Sequence, residues 1–197
     1  TDPEISQKLV AQTLSAFDHL DLLFTNAGGP PPASFEDIPD DEWKNAIDLS
    51  FMSHVRLIRA ALPYLKKSSS PSVLTVTSVS VKQPIPNLVL SNSIRAATAG
   101  LTKTLALELG SEGIRFNSIL PSWTQTKRVE QLMANRAKRK GTTVEDEIQL
   151  QNNQSPLGRM GTPEEFAKAA AFLLSPAASY ITGILLTVDG GTYKGLV

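Results

Sequence analysis

Arg95 stands four residues after Ser91 in a stretch of helical pattern, so the two side chains share one face. An arginine offers a rigid fork of donors that can hold a hydroxyl or a developing oxyanion. It cannot release a proton, because its pKa lies above about 12. An aliphatic serine donates and accepts hydrogen bonds but is a far weaker acid than a phenol. Ser78 closes a run rich in Val and Thr, thirteen residues before Ser91. His54 follows Ser50 by one helical turn, which suits either a packed, hydrogen-bonded imidazole or a proton relay. Arg136, Lys138, Arg139 and Lys140 form a small basic cluster, either a solvated face or the mark of an anionic substrate. With no cysteine in the chain, disulfides, thiolate zinc sites and thiol nucleophiles are excluded. No metal site is expected.

These residues need a scaffold. The 197 residues carry 19 Lys and Arg against 19 Asp and Glu, and zero net charge argues against a nucleic-acid partner. With 41% hydrophobic and 19% charged residues, a folded globular domain is expected rather than a disordered tail. No apolar run approaches the ~20 residues of a bilayer span, and no cationic, then apolar leader opens the sequence. A single-domain cytoplasmic protein without a membrane partner is the expectation.

Short β-like runs alternate with long helical patterns. Residues 22–26 are compact and apolar, ended by Gly28-Gly29-Pro30. Residues 40–65 carry Trp43, Ile47, Phe51, Val55 and Ile58 at spacings of three and four, as one helix would. A second strand is expected over 73–78, a second long helix over 88–109, a third strand over 114–120 and a last strand over 184–188. Thr162-Pro163-Glu164-Glu165 reads as a capped helix start. This alternation predicts an α/β fold with one parallel sheet, its strands in the order of the chain. Residues 127–153 break the rhythm just past a strand end. They hold two polar helical pieces split at Gly141, with Thr142 and Glu145 spaced as a capping box. Ligands of open α/β sheets bind beyond the C-terminal ends of the strands, so this segment reads as a substrate lid or as a solvated helical excursion.

The order of elements and four short motifs resemble the short-chain dehydrogenase/reductase family over nearly the whole chain. Asn26-Ala27-Gly28 sits where that family carries an Asn-Asn-Ala-Gly turn, with Thr25 in place of the first Asn. The gap from Ser78 to Ser91 is the family's usual spacing between its catalytic Ser and Tyr. Residues 121–126 resemble the loop that grips a nicotinamide carboxamide, with Ser122 in place of the usual Gly. Ile181-Thr182-Gly183 and Val188-Asp189-Gly190-Gly191 resemble the family's C-terminal strand signature. The resemblance implies a Rossmann-like doubly wound sheet spanning residues 1–197. It also implies hydride transfer between NAD or NADP and a small-molecule carbonyl or secondary alcohol, in a homodimer or homotetramer. By the same resemblance Ser78 would bond the reacting oxygen and Arg95 would fix the ribose and add charge. Asn26, Ala27, Gly28, Pro121 and Ser122 would shape the cofactor site, and Thr124 and Thr126 would hold the carboxamide.

Two departures follow from the same motifs. The family's Tyr-x-x-x-Lys is Ser91-Asn92-Ser93-Ile94-Arg95 here, and its helix Asn is Ser50. A phenol near pKa 10 can be tuned by a neighbouring cation into a usable proton donor. Ser91 is a weaker acid on a shorter arm, so the proton is expected from water or from a substituted donor such as Ser91 or Asn92. The family's Gly-rich pyrophosphate turn does not occur, and Thr1-Asp2 resembles the end of a third strand. That implies the absence of two βα units and a strand, roughly 60 residues at ~30 per unit. The residue that separates NAD from NADP belongs to that part, and strand 22–26 is expected to be an open edge. Two rival readings stand beside the enzyme. One is a non-catalytic dinucleotide-binding or assembly protein on the same scaffold, the other a fragment that binds no cofactor.

Overall fold

The computed structural model describes residues 4–196; Thr1-Asp2, read as a strand end, lies outside them. Among the described residues, β1 (Leu22–Thr25), β2 (Ser72–Val76), β3 (Arg115–Pro121) and β4 (Leu185–Val188) form one parallel sheet in the order β1-β2-β3-β4. The helices are α1 (Ile5–Phe17), α2 (Asp40–Ile47), α3 (Ser53–Leu65), α4 (Val89–Leu109), α5 (Lys127–Lys140), α6 (Val144–Asn152) and α7 (Pro163–Leu174). No helix among the described residues is long and apolar enough to cross a membrane.

Neighbouring residues of a strand face opposite sides of the sheet, and here both sides are covered. Val73 packs with Val10, Leu23, Ile58, Leu65 and Phe116, under α1 and α3. Its neighbours Leu74 and Val76 pack the other way with Ile119, Ala170 and Leu173, under α7. This is the doubly wound arrangement. Arg115 ties the layers: its guanidinium donates to the carbonyls of Leu173, Leu174 and Ser175 at 2.7, 3.0 and 3.1 Å, satisfying the C-terminal end of α7. At the sheet's rim, β1 turns Leu23 and Thr25 inward but leaves Leu22 47% and Phe24 43% exposed.

Two local expectations need correction. Residues 40–65 are not one uniform helix. Between α2 and α3 the backbone widens into a π turn over Asp48–Met52, where Ser53 N donates to Asp48 O. The wide turn buries Ser50, whose hydroxyl donates to Gly28 O at 2.8 Å. The box on α6 is Thr143 with Asp146, one residue past Thr142 and Glu145. Gly141 ends α5 in the left-handed region at φ 69°, and Thr142 N still donates to Ala137 O, so Thr142 belongs to the closure of α5. The box on α7 is Thr162 with Glu165, and Pro163 opens the helix as its spacing predicts.

Candidate functional site

The C-terminal ends of β1, β2, β3 and β4 deliver the candidate residues to one rim of the sheet. The strand expected over 73–78 ends at Val76, so Ser78 lies two residues past β2, extended and half-buried, where its Oγ accepts from Ser80 N at 3.1 Å to cap the short 3-10 turn Val79–Val81. Helix α4 runs behind this turn. There Arg95 Nε donates to Ser91 Oγ at 3.1 Å and Nη1 donates to Thr77 O at 2.8 Å. One guanidinium thus joins Ser91 to the backbone immediately before Ser78. Asn92, a candidate replacement donor, is committed elsewhere. Its side-chain amide donates to Ile85 O at 3.0 Å and its Oδ1 accepts from Ile85 N at 3.3 Å. It holds the loop between β2 and α4.

At the end of β1, Thr25 is buried and its hydroxyl lies 2.7 Å from His54 Nδ1. His54 is 3% exposed, and burial, then the nearby Arg95 charge, push its pKa down to about 4. The imidazole is therefore neutral at pH 7 and packed, not positioned as a charged relay. Asn26, Ala27 and Gly28 leave the strand just after it, and the bond from Ser50 fixes Gly28. No spacing in the sequence marks Ser80. Its hydroxyl is buried without a hydrogen-bond partner among the described residues.

At the end of β3, Pro121 pairs with Val188 of β4, and Ser122 N donates to Val188 O at 3.3 Å. Thr124 is bridged to Gly161, through Gly161 N to Trp123 O at 3.1 Å and Gln125 N to Gly161 O at 2.9 Å. Thr126 Oγ1 accepts from Val129 N at 3.4 Å as the cap of α5. A cleft of about 150 Å³ opens here, lined by Trp123, Thr124, Leu157, Arg159, Glu165 and Asp189 among others. A wider cleft of about 370 Å³ lies between Ala33–Phe35 and the loop at Pro84–Asn87, and includes Asn92 but not Ser78, Ser91 or Arg95.

Helices α5 and α6 pack as a pair beyond this rim. Arg136 of the basic cluster is not a solvated charge. Its guanidinium carbon sits 4.7 Å from the centre of the Trp123 ring, and Nη1 donates to Gln151 Oε1 at 3.1 Å. Burial pushes its pKa down, Glu147 opposes that, and Arg139 adds to it. Glu147, 2% exposed, accepts from Lys140 Nζ at 3.0 Å and from Thr142 Oγ1 at 2.9 Å. Those bonds, that from Lys140 first, hold its carboxyl below the usual range. Lys138 and Arg139 remain exposed.

The donor set suits a nicotinamide ribose. Hydroxyls at Ser78, Ser91 and Thr124, which can donate and accept, and a held guanidinium at Arg95, which only donates, stand along this rim and could meet sugar hydroxyls and an amide.

Comparison with known proteins agrees with this fold. A family model described as enoyl-(acyl carrier protein) reductase matches residues 1–193. The chain is 33% identical over 183 residues to 7alpha-hydroxysteroid dehydrogenase of Escherichia coli (strain K12), covering 93% of this chain and 68% of that protein. The fold matches L-sorbose reductase from Gluconobacter frateurii, solved with NADPH and L-sorbose, with a TM-score of 0.92 at 29% identity, covering 99% of this chain and 74% of that one. It also matches an NADPH-bound short chain oxidoreductase from Pseudomonas aeruginosa PAO1, described as containing an atypical catalytic center. That match has a TM-score of 0.87 at 28% identity over 98% of this chain and 74% of that one.

Proposed function

Because this chain belongs to the short-chain dehydrogenase/reductase family, a family of oxidoreductases, we propose that it interconverts a small carbonyl compound and a secondary alcohol with NAD or NADP. The observation that carries the reading is the Arg95 guanidinium bound at once to Ser91 Oγ and Thr77 O beside Ser78. When bound, the nicotinamide supplies the hydride. Everything else falls to the chain. Ser78 Oγ accepts from Ser80 N, so its own proton is available to the reacting oxygen. Arg95 lends positive charge to that oxygen and holds a ribose hydroxyl. Its Nε bond polarises Ser91 Oγ, which favours Ser91 giving or relaying a proton taken from water. Asn26, Ala27, Gly28, Pro121, Ser122, Thr124 and Thr126 line the cofactor side in this reading, and residues 127–153 act as the lid over the substrate.

The proposal includes a homodimer through α2, α3 and α4, doubled to a tetramer through β4, working in the cytoplasm. Leu107 on α4 is 75% exposed, and Ile47 at the end of α2 and Leu49 within the π turn are also exposed, which supports an apolar contact between copies.

Titration of the full-length gene product with NADH and NADPH, by calorimetry or nicotinamide fluorescence, tests the first step. A panel of ketones, sugars and hydroxysteroids tests the second. Saturable binding with turnover on any panel member is expected. Binding without turnover favours a second reading, a non-catalytic dinucleotide-binding protein, which draws its support from the serine and arginine standing at the family's Tyr and Lys positions. No binding of either nucleotide defeats both.

A further inference from the structure

Tyr193 follows β4 and Lys82 follows β2, yet Lys82 Nζ lies 5.3 Å from the centre of the Tyr193 ring. Strand β3 stands between those two strands. Adjacent strands lie ~4.8 Å apart, so the Lys82 side chain and the Tyr193 ring together span the roughly 10 Å between the ends of β2 and β4, past the end of β3. That end is where residues 121–126 leave the sheet. The crossing is built by a fixed turn. The Asp189 carboxylate accepts Gly191 N at 3.0 Å and Tyr193 N at 2.8 Å, and Thr192 Oγ1 donates to Asp189 O at 2.7 Å. Gly190 has φ 62°, and a Cβ there would lie 2.5 Å from Ser155 Oγ, which donates to Gly190 O at 3.1 Å. The other end is equally fixed. Lys82 N donates to Val79 O at 3.0 Å, closing the turn that Ser78 caps. Tyr193 is thereby aimed at the residue four past Ser78.

We infer that Tyr193 is a specificity-determining residue. Clasped to Lys82, it carries the C-terminal segment across the substrate side of the rim and limits the bulk of the carbonyl compound that reaches Ser78. The inference rests on the oxidoreductase reading above. The contact is a cation against a ring face, so it needs the ring and the charge.

Four variants of the full-length protein test this: Tyr193→Ala, Tyr193→Phe, Lys82→Met and Lys82→Arg. Amide hydrogen exchange over residues 189–196 is the readout independent of activity. Exchange should be several-fold faster in Tyr193→Ala and Lys82→Met and near the unmodified protein in Tyr193→Phe and Lys82→Arg. The second readout is the ratio of kcat/KM for a bulky ketone to that for a small one. Tyr193→Ala and Lys82→Met should raise the ratio ~10-fold, the scale of one lost apolar contact in a substrate pocket. Tyr193→Phe and Lys82→Arg should keep the original ratio. Unchanged exchange and ratio in Tyr193→Ala overturn the inference. So does a Tyr193→Phe variant that loses kcat as severely as Tyr193→Ala with an altered pH profile, because the hydroxyl would then be the working group. Should the unmodified protein turn over no ketone, faster exchange in Tyr193→Ala and Lys82→Met locates the failure in the oxidoreductase reading, and unchanged exchange locates it in the clasp.

Discussion

Arg95 Nε reaches Ser91 Oγ at 3.1 Å across one turn of α4 while Nη1 of the same guanidinium holds Thr77 O at 2.8 Å. The two residues act as one unit that braces the strand end in front of Ser78. Removing either partner should therefore have unequal effects. Ser91→Ala deletes the hydroxyl that accepts from Arg95 Nε and should leave the melting temperature and nucleotide affinity close to their original values while lowering turnover, as the proposed proton relay requires. Arg95→Ala removes a charged donor from Thr77 O, a loss of about 1.5–3 kcal/mol, and should also weaken nucleotide binding. Arg95→Lys keeps the charge without the fork and should recover part of the binding. Thermal melts beside nucleotide titrations separate the two effects. Equal nucleotide affinity in Arg95→Ala and the unmodified protein would contradict the assignment of Arg95 to the cofactor.

His54 makes stability depend on pH. Its folded pKa is about 4, against an ordinary value of 6.5. Above pH 6.5 the imidazole is neutral in both states. Between about 6.5 and 4 the unfolded chain takes up a proton that the folded chain refuses, so stability falls as pH falls through that window. Below it both states are protonated and this group costs nothing further. The full loss is on the order of 3 kcal/mol. His54→Asn can keep a hydrogen bond to Thr25 Oγ1 without titrating. Melting temperatures measured from pH 7.5 to 4 should slope less steeply in His54→Asn, and an unchanged slope would show that another group governs acid loss.

Strand order was legible because short runs bearing Val, Ile, Leu and Phe alternate with helical patterns, whereas burial extends to polar positions: all five residues of β2 are buried, and so are six of seven in β3, Arg115, Asn117 and Ser118 among them. The contact of Ser91 with Arg95 was legible because residues four apart share a helix face. The π turn was not. It shifts one residue's worth of phase between two helical patterns, and a period of three and four accommodates it. Nor were the pairs Asn92 with Ile85, Arg136 with Trp123, and Lys82 with Tyr193. Their partners meet through loop geometry, which leaves no period in the sequence.

The Arg136–Trp123 stack joins the helix pair α5–α6 to the loop from β3, so it should report on both. In a Trp43→Phe background Trp123 is the sole indole. Arg136→Ala should increase acrylamide quenching of its fluorescence. A double-mutant cycle with Trp123→Ala should return a coupling of about 0.5–2 kcal/mol for a partly desolvated cation over a ring. A coupling near zero would mean that Gln151, and not the ring, holds Arg136.

The exposed rim of β1 sets a colloidal prediction. Leu22 and Phe24 are apolar, outward-facing and at the sheet edge. Such edges template pairing with other chains, and lysine is a common safeguard. Phe24→Lys, alone or with Leu22→Lys, should slow aggregation of the 197-residue chain in light scattering at 37 °C. Faster aggregation would show that these side chains protect, not expose, the edge.

The strongest test of the reaction is to install the family's pair by Ser91→Tyr with Arg95→Lys. Both changes are needed together, because the Arg95 fork occupies the hydroxyl of Ser91 and would meet a phenol placed there. With lysine at 95 the charge remains beside the new hydroxyl and favours its ionised form, which is what a phenol needs to pass a proton near neutral pH. In the proposed reaction Ser78 would share the reacting oxygen, since its Oγ accepts from Ser80 N and keeps its own proton to give. Turnover of simple ketones with saturating nucleotide should rise by ~10²-fold or more, the scale of one general acid. Ser91→Tyr alone should gain less. If the double variant binds nucleotide normally and melts as the unmodified chain does, yet reduces nothing across a broad carbonyl panel, the rim is not a modified reductase centre. The dinucleotide-binding reading would then replace it.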